Sequence, residues 1–457
     1  MMDGVFPTPG ARQPGTLATL AANLDLCVLL CLLMADVRVF NGSAVASFTL
    51  FELFVWGYCA PVVVSYVWIQ GRSLPARCLG FMVPLGLYMA WLLAVSGLAI
   101  VFRSDTEVLQ NTKNIIPALV LVAFLFIRIR DIKPVILLCN MYVIYAVLSC
   151  VVAFCQFKFG APYFRELIVG TEYKLDISGD TIGSPIVGFT GHPNAFAMAI
   201  LPAVALAVLK LHAEIRNGWR VRPITIAVAA LLCAGMALSQ ARGATVFTLA
   251  AIAFFVSPLG RTRQFPIKFA WVAGLIACIV VYGFHEMRSG EAPGAATIET
   301  RVLLWQTSFD AMASDAYVFL FGDGVKFVSQ WSWKISGWEF PDAHNGWIDQ
   351  MLFFGVPAVV LYLSIWWRFY SIVEAPAAHR PATDRILLDA IRVTVMALMG
   401  DYFFEPVANV VFPVSQLFLF MALAVRVASF SAVAGAPAIE PSPTLRSIPA
   451  TPLVRPR

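Results

Sequence analysis

The sequence predicts an all-α integral membrane protein with about twelve transmembrane helices and a large loop on the outer face. Three observations carry that prediction. Hydrophobic residues make up 60% of the 457-residue chain and charged residues 13%, with a mean hydropathy of +0.78. Soluble chains run at about 45–50% and about 25%. The apolar residues fall in continuous runs of about 20, the length a helix needs to cross hydrocarbon, and not in the alternation of a strand. Finally, Lys and Arg gather in every second connection. Inside lipid every backbone donor and acceptor must be paired internally, which leaves helices or closed barrels, and unbroken apolar runs select helices.

In chain order the runs centre on residues 19–36, 46–69, 79–102, 114–128, 134–157, 194–211, 222–239, 243–259, 266–284, 346–367, 385–403 and 407–428. The first lacks the basic leader and small-residue cleavage site of a signal peptide and is expected to be retained. One set of connections holds Arg72 and Arg77; Arg128, Arg130 and Lys133; Lys210, Arg216, Arg220 and Arg222; Arg261, Arg263 and Lys268; and Arg368, Arg380 and Arg385. Positive charge in short loops marks the cytoplasmic side, so this set and both termini are expected there. The net charge of +5 is therefore an orientation signal and does not imply nucleic-acid binding. The polytopic domain is expected over 1–430, with a disordered cytoplasmic tail over 431–457, rich in Ala, Pro and Ser.

All nine cysteines lie in or beside apolar runs, so the long outer loops, at about 158–193 and 285–345, are not expected to be stapled by disulfides. The sequence has no metal-ligand spacing of Cys and His, no Walker loop, no G-x-S-x-G elbow, no H-E-x-x-H and no dinucleotide fingerprint. No metal and no cofactor are expected.

The chemistry is expected in the outer loops. A loop of about 60 residues without structure of its own is usually functional. Thr300 to Trp305 opens a helical stretch reaching about Ser314. Val302, Trp305, Phe309 and Met312 recur there at the spacing of one helix face. Arg301 is expected near the helix start, where a cation opposes the dipole but suits a bound anion. The alternative is a guanidinium snorkelling to lipid headgroups. Phe321-Gly322-Asp323-Gly324 reads as a turn. Asp342-Ala343-His344-Asn345-Gly346-Trp347 precedes the tenth run, placing His344 at the outer boundary. His titrates near neutral pH and suits proton transfer, and Asp342 or Asn345 would orient its ring. The alternative is a helix cap with an incidental His.

Arg242 lies in a short outer turn, Ser239 to Ala244, where a charge at the membrane edge is functional, paired or snorkelling. His192-Pro193-Asn194 closes the other long loop, and Pro and Asn suit a helix start, with Asn194 as a cap. Two arginines and a histidine from separate loops thus converge at the height of a lipid-borne diphosphate, whose oxygens a guanidinium fork matches. Trp331, Trp333, Trp338 and Trp347 offer faces for sugar rings or form an interfacial belt. Asp401 and Glu405, near the last outer turn, offer those arginines structural partners instead.

At these residues the chain resembles the O-antigen ligase and Wzy-type polysaccharide polymerase superfamily, over roughly 180–365. The resemblance rests on Gly191 to Asn194, the Ser-x-x-Arg-Gly-Ala turn at 239–244, Arg301 to Trp305, Gly322 to Gly324, Ala343 to Asn345 and Phe354-Gly355, in that order. The usual Ser-Arg pair is separated here by Gln240 and Ala241. The resemblance implies a GT-C-like, metal-independent, inverting glycosyltransferase of the bacterial inner membrane. Its donor would be an undecaprenyl-diphosphate-linked oligosaccharide at the periplasmic face. Arg242 and Arg301 would hold the diphosphate, and His344 would activate the acceptor hydroxyl of a glycan or lipid. Asn345, Asp342, Asn194, His192 and Trp305 would contact substrate. A polymerase of exopolysaccharide or O-antigen is expected first, and a chain-length regulator would suit it as a partner. An O-antigen ligase to lipid A core, or a protein O-oligosaccharyltransferase, is the nearer alternative. A transporter or flippase of lipid-linked glycan is the alternative of another class, which should bury charges at broken helices near the midplane.

Overall fold

The computed structural model describes residues 20–35, 38–40, 48–103, 107–159, 188–190, 193–239, 241–256, 295–322, 345–374, 382–402 and 411–434. Along these the chain forms α1 (Leu24–Ala35), β1 (Arg38–Phe40), β2 (Phe48–Thr49), α2 (Leu50–Ile69), α3 (Ala76–Arg103), α4 (Glu107–Arg128) and α5 (Ile132–Phe159). Then come α6 (Pro193–Arg216), α7 (Pro223–Leu238), α8 (Arg242–Val256), α9 (Ala295–Ser314) and α10 (Ala316–Phe321). The last four are α11 (Gly346–Phe354), α12 (Val356–Val373), α13 (Ala382–Asp401) and α14 (Val411–Ala434).

Among the described residues, six helical segments are long and apolar enough to cross a membrane: α2, most of α3, α5, most of α6, α12, and Pro413–Phe430 of α14. Shorter apolar helices occupy Leu24–Met34, Ile115–Arg128, Pro223–Leu238 and Gly243–Val256. The expected run at 266–284 lies outside the described residues, as do most of both long loops and the tail from 435; the expected tail start at 431 is corrected, since α14 runs on to Ala434. The first half of α13 carries Asp384, Arg385, Asp389 and Arg392, so only its second half is apolar.

The packing explains several sequence choices. Proline inside a helix cannot donate to the carbonyl four residues back, and in lipid that carbonyl needs another partner. Pro202 in α6 bares the carbonyl of Met198, which accepts from Nε2 of Gln416 on α14 at 2.8 Å. Tyr142 of α5 donates to the next carbonyl, that of Ala199, at 2.7 Å. Pro84 in α3 bares the carbonyl of Gly80, which accepts from Nε of Arg368 on α12 at 3.1 Å. Gly80 has no side chain to bar that guanidinium: a Cβ there would stand 2.5 Å from it. In α2 a wide turn at Val55–Cys59 precedes Pro61, and its bond reaches five residues back, from Ala60 to Val55.

Charges inside the bundle are matched as well. Arg128 donates to both carboxylate oxygens of Asp25, one contact at 2.8 Å. Glu52 closes a capping box with Thr49 at the start of α2 and lies 3.8 Å from Lys113. Arg426, buried in α14, donates to the carbonyl of Ile129 just past α4, and Arg392 donates to that of Val373 at the end of α12, each at 2.6 Å. A cation on a terminal helix carbonyl is favoured by the dipole.

One expected element is corrected. The apolar run 346–367 is not one helix, because it breaks at Gly355, whose φ of +79° is a conformation other residues resist. From this elbow α11 and α12 fold back as a hairpin. Trp347 on one arm meets Tyr362 on the other, ring centroids 5.3 Å apart. The elbow is clasped by the end of α10, where Gly322 also has positive φ, at +77°. A Cβ on Gly355 would lie 2.1 Å from the carbonyl oxygen of Leu320, and one on Gly322 would lie 2.5 Å from the backbone of Phe353.

Candidate functional site

The nine-residue helix α11 is almost wholly buried and its start is polar. Asn345 caps it, with Oδ1 accepting from the amides of Trp347 at 3.0 Å and Ile348 at 3.1 Å. Two of the orphan donors at the helix start are thereby satisfied. Asn345, Asp349 and Gln350 have no exposed surface. The Nδ2 of Asn345 has no hydrogen-bond partner among the described residues.

Gln350 ties α11 to two neighbours. Its Oε1 accepts from Tyr88 of α3 at 2.5 Å, and its Nε2 donates to the Tyr402 hydroxyl at 3.4 Å. Tyr402, just past α13, also accepts the Gly346 amide on its carbonyl at 2.9 Å. Its ring stacks on Tyr362 at 5.6 Å, with Trp347 edge-on to it at 5.8 Å. Gly346 leaves room for this: a Cβ there would stand 2.6 Å from the Tyr402 ring.

Depth along the bundle follows from helix rise. Tyr88 lies about 18 Å from the start of α3 and about 22 Å from its end at 1.5 Å per residue. The Gln350 site is thus near the middle of α3. Phe354, at the other end of α11, accepts from Trp91 farther along α3 at 2.8 Å. The chain therefore enters α11 deep in the bundle and rises to the Gly355 elbow before descending through α12.

The expected site residues gather in part. Arg242 opens α8 directly after the α7 turn, where buried Ser239 donates to the Met236 carbonyl at 2.6 Å and accepts from Ala241. Its side chain is outside the described set. Phe247, about 7.5 Å farther into α8, fills the space left by Gly400 at the end of α13. Arg242, buried Asp401, Tyr402 and the cap of α11 therefore share one end of these helices. Asn194 is at the same end, since α6 and α8 run alike on either side of α7. Asn194 is half-buried as the second residue of α6, after Pro193, and so does not occupy the expected cap position. His192, Asp342, His344, Trp331, Trp333, Trp338 and Glu405 lie outside the described residues.

Arg301 differs from expectation. Helix α9 begins at Ala295, straight after Pro293-Gly294, so Arg301 is two turns inside and away from the terminal amides. The buried face is Leu304, Ser308, Ala311 and Met312, flanked by half-buried Arg301 and Trp305. Phe309, expected on that face, is 51% exposed. Helix α9 packs against α11, which brings the Arg301 helix to the helix that follows His344.

Sequence reading missed Asp349, which it absorbed into an apolar span. The readable signal was its position four residues after a capping Asn. No family model matches the chain, and no curated protein matches it.

Proposed function

We propose that this protein is a membrane glycosyltransferase. It would move glycan from an undecaprenyl-diphosphate carrier to an acceptor at the periplasmic face, foremost as an exopolysaccharide or O-antigen polymerase. The observation that supports this most is the packing of α9, which carries Arg301, against α11, whose capped start directly follows His344. Arg242 opens α8 at the end of α8 and α13 where Tyr402 meets that start. In this reading Arg242 and Arg301 hold the diphosphate, whose charge grows as the sugar–phosphate bond breaks. Fixed guanidinium groups in a site of low dielectric stabilise that growth most in the transition state. His344 takes the proton of the attacking hydroxyl, an effect of about 10²–10⁴-fold. A lipid diphosphate is already a good leaving group. A single displacement inverts the sugar carbon. A ligase to lipid A core or to protein uses the same groups on another acceptor.

A transporter of lipid-linked glycan is the second reading. The broken α11–α12 hairpin with buried Asp349 near mid-depth favours it, since transporters place polar groups at such breaks.

The experiment is His344→Ala and Arg301→Ala in a strain lacking the native copy, with insertion checked by blotting. Polymer length is read by gel beside the lipid-linked glycan pool. A glycosyltransferase leaves lipid-linked glycan accumulating outside, as single repeats for a polymerase or long free chains for a ligase. Accumulation on the cytoplasmic side supports the transporter instead. Unchanged polymer in both variants removes the enzyme reading.

A further inference from the structure

Helices α3, α12 and α14 pack on one another and carry no Asp or Glu. At one end of this trio stand Arg77, Arg368 and Arg426, each held by a neutral carbonyl. Arg77 donates to Ala428 at 2.7 Å, Arg368 to Gly80 at 3.1 Å and Arg426 to Ile129 at 2.6 Å. A carbonyl satisfies a donor but brings no counter-charge. Arg128 and Arg392, by contrast, each reach a carboxylate. Glu374, the first acidic residue after Arg368, is buried and about 9 Å farther along the helix axis. Arg426 is buried behind the other two, its Nη1 3.7 Å from Sγ of Cys78, and adds its charge from within.

We propose that Arg368 and Arg77 bind the phosphate of an anionic phospholipid in the groove between α3 and α12, at the end expected to face the cytoplasm. Arg368 is exposed there. Its Nε is engaged by Gly80, while Nη1 and Nη2 have no hydrogen-bond partner among the described residues. The guanidinium lies across Gly80, where a Cβ would stand 2.5 Å from Nη2. It is therefore seated in one place, with the rest of its fork turned outward, the geometry that matches phosphate oxygens. Arg77 precedes Gly80 by one turn on the same helix, about 5–6 Å away.

The walls of the groove say what kind of anion fits. Leu79, Val83 and Leu87 recur every four residues on α3, and Val360 and Trp367 stand two turns apart on α12. All five are at least half exposed, on helices long and apolar enough to cross a membrane. A charged head at the arginines with acyl chains along these walls is an amphiphile, and basic sites between helices on the cytoplasmic side suit anionic headgroups. The site is separate from the outer residues of the glycosyltransferase reading and does not depend on it.

The test uses the full chain in phosphate-free detergent, titrated with phosphatidylglycerol or phosphatidylcholine, with bound lipid counted by native mass spectrometry. One phosphatidylglycerol is expected to bind more tightly than any phosphatidylcholine. Arg368→Gln and Arg77→Gln should each weaken it about fivefold or more. Gly80→Ala keeps every charge but displaces the guanidinium from its seat, and should weaken binding by a similar factor. Arg72→Gln removes an exposed arginine that stands over Tyr66 before α3, and should leave binding unchanged. Equal uptake of the two lipids by the parent chain overturns the proposal without any variant. Equal losses in Arg72→Gln and Arg368→Gln overturn it too, leaving a general attraction between basic loops and anionic lipid. Displacement of the lipid by millimolar inorganic phosphate would make the ligand a soluble anion and overturn the phospholipid assignment.

Discussion

Gln416 and Pro202 stand on different helices, and the amide of the first occupies the carbonyl that the second leaves bare, at Met198. The same Gln416 amide donates to the Tyr142 hydroxyl at 2.6 Å. Replacing Gln416 by Leu should lower stability by about 0.6–2 kcal/mol, the range for hydrogen bonds between membrane helices. With Pro202→Ala the helix regains its own donor, so the cost of Gln416→Leu should shrink. Equilibrium unfolding in mixed micelles over the double-mutant cycle measures this. Strict additivity would show that the two residues are not linked.

The elbow at Gly355 and its clasp with Gly322 should be the least tolerant glycine pair. Alanine at either forces a side chain into a left-handed backbone, about 1–3 kcal/mol from strain alone, and into neighbouring backbone atoms as well. Gly86→Ala in α3 is the control, because a Cβ there meets nothing within 4 Å. Thermal unfolding should separate the clasp variants from the control. Equal melting temperatures for all three would contradict the clasp.

Asn345 should be separable into a cap and a donor. Asn345→Ser keeps an oxygen for the Trp347 and Ile348 amides, and Asn345→Ala removes it at about 0.5–2 kcal/mol. If Nδ2 serves substrate, the serine variant retains stability and loses polymer. If Asn345 only caps, serine retains both.

Orientation is open to a direct check. A cysteine at Gly218, between α6 and α7, should react with a membrane-impermeant maleimide only after cells are opened. One at Ser184 in the 158–193 loop should react in intact cells. The reverse pattern would invert the positive-inside assignment.

Much of the helical layout was legible because long apolar runs report burial in lipid directly. The start of α6 at Pro193 and the end of α7 at Leu238 fall within a residue of the expected runs. The hairpin was not legible, because hydropathy reports environment and not direction. The run from Trp347 to Trp366 is apolar on both arms, so only Gly355 and Pro357 mark the turn. Arg301 was misplaced on its helix for a related reason. Ala295 and Ala296 extend α9 backwards as strong helix formers, whereas the apolar periodicity used to find the helix begins only later. Asp349 was hidden because one carboxylate does not end an apolar run.

The proline-bared carbonyls also bear on how the chain assembles. Gly80 loses its helical donor as soon as α3 forms, yet Arg368 follows 288 residues later. Arg426 likewise reaches the carbonyl of Ile129, just past α4, across 297 residues. The early helices therefore enter the bilayer with open acceptors that only late-synthesised helices can fill. A chain truncated before α12 would leave the Gly80 carbonyl without the Arg368 donor.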